Sequence, residues 1–355
     1  MKSLLPILTA SLLLSLAPSR ARAWAYATHR TVNQLALDSL PADFPAFART
    51  PAATERILFL AGEPDRWRSS RDADFLHVEN GDHELDLEQL TAAGIDPRTV
   101  TSFRYDFILL FPPARAAHAD AFPPLEPARD RNHIYQWPGF LPWRVAEDYG
   151  RLKQMFAEWK VYRQYGTPEE VADAEADIIE QMGIMGHFVG DSSQPLHVTV
   201  HHHGWDCFGW KAPNPNGYTT QGKIHDWIDG TGPGGGFIGR AHITAASLAS
   251  RVKPARPIDV APRADGRDPA FVAEMNFIIA QNAEVEPLYR LEKEGKFKAD
   301  GSPGSFDGKP FVEEQILRGG EMLGAIWLTA WQQAAPSPYL RSDLVTRPAP
   351  ARSAP

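Results

Sequence analysis

Two histidine–aspartate pairs repeat at one spacing in this chain. His187 and Asp191 stand four positions apart, and so do His225 and Asp229. On a helix that spacing puts both side chains on one face, roughly 6 Å apart. His197 closes Gln194-Pro195-Leu196-His197 just downstream of Asp191, and His29, Asp65 and His77 lie upstream. Imidazole and carboxylate are the ligands zinc accepts where cysteine is absent. Two such pairs on separate helices can aim four ligands into one bundle interior. A single pair is more often a surface ion pair or a satisfied core histidine, but the recurrence, with four further residues of the same types, favours a metal cluster. Gly183, Gly186 and Gly190 flank His187. Each glycine costs about 1 kcal/mol in a helix against alanine, so three together point to a close approach by another element.

The elements that must position these groups read as helices. A first helical segment starts near Thr28 and closes at Asp38 to Leu40. Thr167-Pro168-Glu169-Glu170 is a capping box with proline at the first helical position, opening a helix through at least Val189. Phe271, Met275, Ile278, Ile279 and Val285 follow Asp268-Pro269 at helical steps, and Val312, Ile316, Leu323, Ile326, Trp327 and Trp331 do so again. Between them, residues 110–145, 201–237 and 297–310 read as irregular and rich in proline, glycine and aromatic residues. There is no alternating run of strand length and no internal repeat. The expected fold class is all-α, one helical domain over 24–335, with a loose Pro-rich tail over 336–355.

With 355 residues the chain can bury a substantial core, and its 43% hydrophobic and 23% charged residues exclude a disordered or collagen-like chain. The formal charge of −8 becomes three units more negative without Lys2, Arg20 and Arg22, which excludes a general basic nucleic-acid binder. The lone Cys207 excludes an internal disulfide and a thiolate-only zinc site. Lys2, the leucine-rich run from Leu4 to Leu16 and Ala21-Arg22-Ala23 read as a signal peptide over 1–23. The run is too short for a membrane span. The predicted mature chain begins at Trp24 and is exported, to the periplasm or the medium.

Taken in order, Trp24, His29, Asp65, His77, the H-x3-D-x5-H of His187, Asp191 and His197, and the H-x3-D of His225 and Asp229 form a pattern. It resembles that of the three-zinc phosphoesterases, which comprise the fungal and plant type I single-strand-specific nucleases and the bacterial zinc-dependent phospholipases C. The matching motifs run from residue 24 to 229, and G-D-x-x-Q-P-L-H (190–197) is their most specific piece. The resemblance implies a helical fold and three zinc ions. Trp24, through its α-amino nitrogen and carbonyl oxygen, and His29 would hold one; Asp65, His77 and His187 a second; His197, His225 and Asp229 the third. Asp191 would bridge the first two, and Asp65 would also orient the attacking water. The implied activity is phosphoester hydrolysis by zinc-activated hydroxide, acting as a single-strand endonuclease or 3′-nucleotidase. The alternatives are a phospholipase C acting on a phospholipid headgroup and a non-catalytic zinc-binding periplasmic protein. A monomer without a stable protein partner is expected.

The sequence departs from the family in places. The fungal nucleases contain disulfides, whereas Cys207 is alone. The Asp65–His77 interval is shorter than usual, which leaves Asp72 or Asp74 open as the ligand. Where the nucleases hold a base with an aromatic residue and an aspartate, Val78 and Asn80 stand, and only Asn80 offers a hydrogen bond. Asp229 stands where the phospholipases use glutamate, which favours a nuclease. Arg66, Arg68 and Arg71 either clamp a phosphate or pair with Glu63, Asp72 and Asp74. His201, His202 and His203 read as an auxiliary contact or a local structural run. Trp205, Phe208, Trp210, Tyr218 and Trp227 read as base-stacking faces or the core of a loop. Glycines 234–236 lack the context of a P-loop.

Overall fold

Thr50-Pro51, Thr167-Pro168, Asp268-Pro269 and Ser337-Pro338 each start a helix in the same way. The side chain accepts from a backbone N–H of the first turn, and proline fills the position whose N–H would have no partner. At Thr167 both halves of the capping box form, Glu170 N donating to Thr167 Oγ1 at 3.3 Å and Thr167 N to Glu170 Oε2 at 2.8 Å. The computed structural model describes residues 24–347 apart from 126, 129, 207, 208, 211 and 212. Residues 1–23, read as a signal peptide, Cys207, Phe208 and the chain from 348 onward therefore lie outside the described residues.

The helices are α1 (Tyr26–Ser39), α2 (Pro51–Leu60), α3 (Glu63–Trp67), α4 (Ala73–Gly81), α5 (Leu87–Ala92), α6 (Arg104–Ala117), α7 (Leu141–Tyr165) and α8 (Pro168–Ser192) in the first half. The second half holds α9 (Lys223–Asp229), α10 (Gly236–Arg240), α11 (Ala245–Leu248), α12 (Pro269–Asn282), α13 (Val285–Lys293), α14 (Lys309–Gln333) and α15 (Pro338–Thr346). No strand occurs among the described residues, and the helices pack as one all-α domain. None of these helices is long and apolar enough to cross a membrane.

Three 25-residue helices, α7, α8 and α14, form the frame, with α1 laid across α14, α8 and α2. Small residues set the approach of α1. A Cβ on Gly186 would stand 1.9 Å from Asn33 Oδ1, and one on Gly320 would stand 2.7 Å from Leu35 Cβ. Asn33 uses that space to join three helices, its Nδ2 donating to Ile57 O at 3.0 Å and Gly183 O at 3.2 Å. Buried aromatic rings fill the rest of the core, with Trp143 stacked on Phe107 at 4.3 Å and tilted against Phe271 at 5.1 Å.

Three expectations change here. Residues 110–117 and 141–145, read as irregular, belong to α6 and α7; α6 continues through Pro112 and Pro113. Val285 does not extend the helix that begins at Pro269, because the chain breaks after Asn282 and Val285 opens α13. The segment read as a tail carries α15, capped by Ser337 and packed on α7. Arg347 reaches back from it to Glu170, its Nη2 lying 2.8 Å from Oε2.

One buried acid in this frame has a measurable signature. Glu274 of α12 is fully buried and neither carboxylate oxygen makes a well-aligned hydrogen bond, the Ser192 hydroxyl being a weak partner that offsets little of the burial. Ser192 beside it spends its proton on Phe188 O at 3.0 Å. Burial pushes the Glu274 carboxyl up to about 7 from 4.5. The folded chain thus holds a proton the unfolded chain has released, so stability falls as pH rises from about 4.5 to about 7 and then levels. Glu274→Gln removes that dependence. Relative to wild type it should gain roughly 3 kcal/mol between pH 4.5 and pH 8, read by urea denaturation at both pH values. A constant difference would mean Glu274 is ionised in the fold.

Candidate metal centre

The motif 190–197 shows how the sequence builds the site. Gly190 makes room for the imidazole of α1, since a Cβ there would stand 2.8 Å from His29 Nδ1. Asp191 ends the same face of α8 as His187. Gln194 then does two things: its Oε1 accepts from Leu196 N at 3.0 Å, setting the short 3-10 turn Pro195–His197, and its Nε2 donates to Asp229 Oδ1. Proline opens that turn, Leu196 anchors it in the core, and His197 is delivered beside α9. Ala25 N donates to Asp229 O at 2.8 Å, so the start of α1 is tied to α9 as well.

Three groups of His and Asp that can hold a metal ion result among the described residues. They are His29, His187 and Asp191; Asp65, His83 and His187; and His197, His225 and Asp229, with the ligand atoms of each group within 4.8 Å of one another. His187 belongs to two groups, so those two are contiguous. Asp191 Oδ1 lies 3.5 Å from His29 Nε2, and its Oδ2 lies 3.0 Å from His83 Nδ1 and 3.4 Å from His187 Nε2. In the third group His225 Nε2 is 2.9 Å from Asp229 Oδ2. Those two atoms nevertheless make no aligned hydrogen bond, and the same holds for both nitrogens of His29, Nε2 of His83, Nε2 of His197 and Asp191 Oδ1. All of these residues are at most 4% exposed. Buried polar atoms without partners are costly, and here they are nitrogen and carboxylate oxygen atoms gathered into three small spaces.

Outer contacts orient the rings. His187 Nδ1 is 2.7 Å from Ala61 O and His197 Nδ1 is 3.0 Å from His83 O. A carbonyl only accepts, so Nδ1 carries the proton in both and Nε2 presents a lone pair, the usual arrangement of a metal-ligating histidine. Burial, reinforced by neighbouring histidines, holds His29 and His225 well below the usual imidazole range. Burial, with Arg68 and the other rings, does the same to His83 and His187, and His197 falls to about 3. Burial also pushes Asp191 well above the carboxylate range, with Asp65 adding to the effect, and raises Asp229 despite the Gln194 hydrogen bond. Neutral rings are ready to bind a cation, whereas the two carboxyls must first lose protons to it. Metal affinity should therefore fall as pH drops.

His77 is not in the site. It sits on the exposed face of α4 with Nδ1 2.8 Å from Asn132 O. His83 takes its place, six residues on and beyond the helix end, where the chain turns inward. Phe140 N donates to Gly81 O at 2.6 Å, Leu85 N to His197 O at 3.0 Å and Asp86 N to Pro138 O at 2.6 Å. Asp82, buried beside His83, is held by Arg104 and by Arg144 Nη1 at 3.4 Å, and Arg144 Nε is itself 2.9 Å from Asp148 Oδ2. Gly139, with φ +100°, makes the crossing possible, since a Cβ there would stand 1.9 Å from Glu84 O. The short Asp65–His77 interval left Asp72 or Asp74 open as the ligand and did not single out His83.

Asp65 is in the site, and the alternatives are not. Asp72 caps α4 through the backbone N–H groups of Asp74 and Phe75, and both Asp72 and Asp74 are exposed. Arg68 lies beside Asp65, with Nη1 3.9 Å from Oδ1, and its charge bears on His83, His187, His197 and His225. Arg66, a candidate substrate contact from the sequence, is engaged by its neighbours. Its Nε is 2.9 Å from Glu63 Oε2, its Nη2 is 2.9 Å from Phe59 O, and it stacks on the Phe59 ring at 4.3 Å. Asn80 is 8% exposed with its carboxamide oxygen enclosed, so it does not present an edge to an incoming base. Trp24 is buried, its indole donating to Ser193 Oγ at 3.2 Å.

Of the histidine run, His201 stacks on Trp205 at 4.2 Å and is structural. His202 Nδ1 is 3.0 Å from Thr199 O and 3.5 Å from Asp86 Oδ1. His203 adjoins the third group, its ring 5.3 Å from that of His225, and burial lowers it to about 4. Trp205 and Trp227 donate to Pro213 O and Phe297 O, and Tyr218 is buried, so Trp205 and Tyr218 pack within the loop and Trp227 ties α9 to the chain at Phe297.

Gly190 gives a direct test of the geometry. Gly190→Ala should favour α8 by about 1 kcal/mol of helix propensity, yet it pushes the His29 ring from its place. The expected result is weaker metal binding at the first group, by about 10–100-fold as for a lost outer contact, measured by competition with a chromogenic chelator. Unchanged affinity would mean His29 takes no part. No family model matches the chain, and neither a curated protein nor a solved structure matches it.

Proposed function

We propose that the chain is an exported zinc-dependent phosphodiesterase acting on single-stranded nucleic acid, with 3′-nucleotidase action on the same centre. The observation that carries this reading is the gathering of histidine nitrogen and carboxylate oxygen atoms into three groups, two fully buried and one buried but for Asp65, with several of those atoms making no aligned hydrogen bond. The motif order, which resembles that of the three-zinc phosphoesterases, names the metal and the chemistry. Trp24 and His29 would hold one ion; Asp65, His83 and His187 a second, with Asp191 shared; and His197, His225 and Asp229 a third. Zinc bound there supplies Lewis acidity toward phosphate oxygens and lowers the pKa of a water. The protein's own part is to place groups around the reacting phosphorus. Asp65 orients the attacking water and takes its proton. Arg68, partly buried beside it, would pair with a non-bridging phosphate oxygen. An acidic chain can bind a polyanion this way because the positive charge is local to the centre.

With His83 in the upstream position, the residues that follow it are Glu84 and Asp86 rather than Val78 and Asn80. An aspartate then stands where the nucleases use one to hold a base, which favours the nuclease reading. The phospholipase C reading is favoured by a different feature, the row Phe103, Tyr105 and Leu109 at the start of α6, exposed to 64%, 82% and 76%. The deciding experiment combines elemental analysis of exported protein with two assays. Near three zinc ions per chain, one per group, with release of acid-soluble nucleotides from single-stranded DNA or RNA, supports the proposal. Diacylglycerol release from phosphatidylcholine would replace nuclease by phospholipase. Full zinc without turnover would leave a metal-binding protein, and no stoichiometric zinc would refute the reading.

A further inference from the structure

A recess lies between α6 and residues 119–125 and 136–137. Its volume is about 610 Å³, within the range of small-molecule sites. Phe122 and Trp137 supply aromatic walls, and Arg115, Asp120 and Gln136 supply its polar groups. Arg115 is the telling residue. Its guanidinium lies 4.1 Å from the centre of the Phe122 ring and its Nη1 is 3.3 Å from Gln89 Oε1, a neutral partner. Among the described residues no carboxylate pairs with it. A half-buried cation that meets no carboxylate among the described residues, set against an aromatic face, suits an anion carried on a planar ring.

A short chain of contacts runs from the recess toward the segment that carries His83. Gln89 Nε2 donates to Asp86 Oδ2 at 2.8 Å, and Asp86 Oδ1 lies 3.5 Å from His202 Nδ1. Asp86 N donates to Pro138 O, next to Trp137 and three residues after His83. We propose that this recess is a second nucleotide subsite, in which a base stacks on Trp137 and Phe122 while its phosphate meets Arg115. Gln136 and Asp120 meet the ring edge, the carboxylate accepting from amino or ring N–H groups. The choice of a nucleotide rests on the phosphodiesterase reading; the anion site on Arg115 does not.

Calorimetric titration of the zinc-loaded protein with adenosine 5′-monophosphate tests it. Two sites per chain are expected, one at the metals and one here. Arg115→Gln, which keeps the stem and the length, should weaken the second about tenfold or more, as for one charge-assisted hydrogen bond. Asp120→Ala, at an exposed position, should weaken it without risk to folding. A rise in KM for a single-stranded oligonucleotide in the same variants would assign the recess to a unit of the bound strand. An unchanged KM would assign it to free mononucleotide. A single site in wild type, or two unaltered sites in both variants, would overturn the proposal. An Arg115-dependent site in a protein that hydrolyses no nucleic acid would keep the recess as an anion site and remove the nuclease reading.

Discussion

Asp191→Asn should strip the two contiguous groups of metal and leave the third filled. The carboxylate contacts the ring nitrogens of His29, His83 and His187 at 3.0 to 3.5 Å, so it touches residues of both groups. Asparagine keeps the size and removes the charge that would hold both ions. The loss of affinity should exceed the roughly 10–100-fold typical of an outer contact, and phosphoester hydrolysis should fall with it. Stability makes the prediction sharper, because its sign depends on metal. Burial and Asp65 raise the Asp191 carboxyl well above its usual range. In the metal-free chain its ionisation therefore opposes folding, increasingly as pH rises above the unfolded carboxylate range of about 4 and until the raised pKa is passed. Asparagine lacks this penalty. With chelator at neutral pH the variant should melt at or above wild type; with zinc it should melt below. Melting curves in both conditions check this, and a variant less stable than wild type under chelator would mean that the carboxylate has a structural partner. Asp229→Asn should cost metal at the third group alone.

The parts of the site that were legible in the sequence are those carried by local geometry. His187 with Asp191 and His225 with Asp229 are close because helix periodicity makes them so. His197 follows from a turn whose cap, Gln194, and proline stand in the same motif. The three glycines on α8 foretold a close neighbour, and α1 and α2 are that neighbour. The upstream residue was not legible, because nothing local distinguishes His77 from His83. Both lie near one short helix, and what separates them is the packing of a turn against Phe140, Pro138 and His197, which are distant in sequence. The helix α7 was missed for a related reason. It opens on Phe140-Leu141-Pro142-Trp143, a proline–aromatic run that reads as loop, and no Ser, Thr, Asp or Asn caps it. Its buried face is defined by its partners α8, α12, α14 and α15, which are distant or later in the chain.

The comparison of His83→Ala with His77→Ala decides whether the turn or the helix supplies the upstream ligand. His83 is fully buried, its Nδ1 3.0 Å from both Asp191 Oδ2 and His187 Nε2. Removing it leaves Asp65 and His187 facing an incomplete group, so the second ion should be lost and hydrolysis should fall by the same order as in the Asp191 variant. His77→Ala deletes a surface ring whose one contact is Asn132 O, a change worth within about 0.5 kcal/mol of stability, and it should keep full zinc and activity. The reverse ranking would restore His77 and leave His83 as a core residue. Because His83→Ala opens a cavity, a lower melting temperature alone decides nothing; the readout is zinc per chain in the folded fraction. His83→Asn, which cannot offer an imidazole lone pair but fills most of the space, should lose the same ion. Arg144→Met separates the two roles of this turn. It removes one of the two arginines on Asp82 without touching a ligand, so it should loosen the second ion while leaving the third at wild-type affinity. Equal weakening at every group would mean that Arg144 supports the fold as a whole and not the placement of His83.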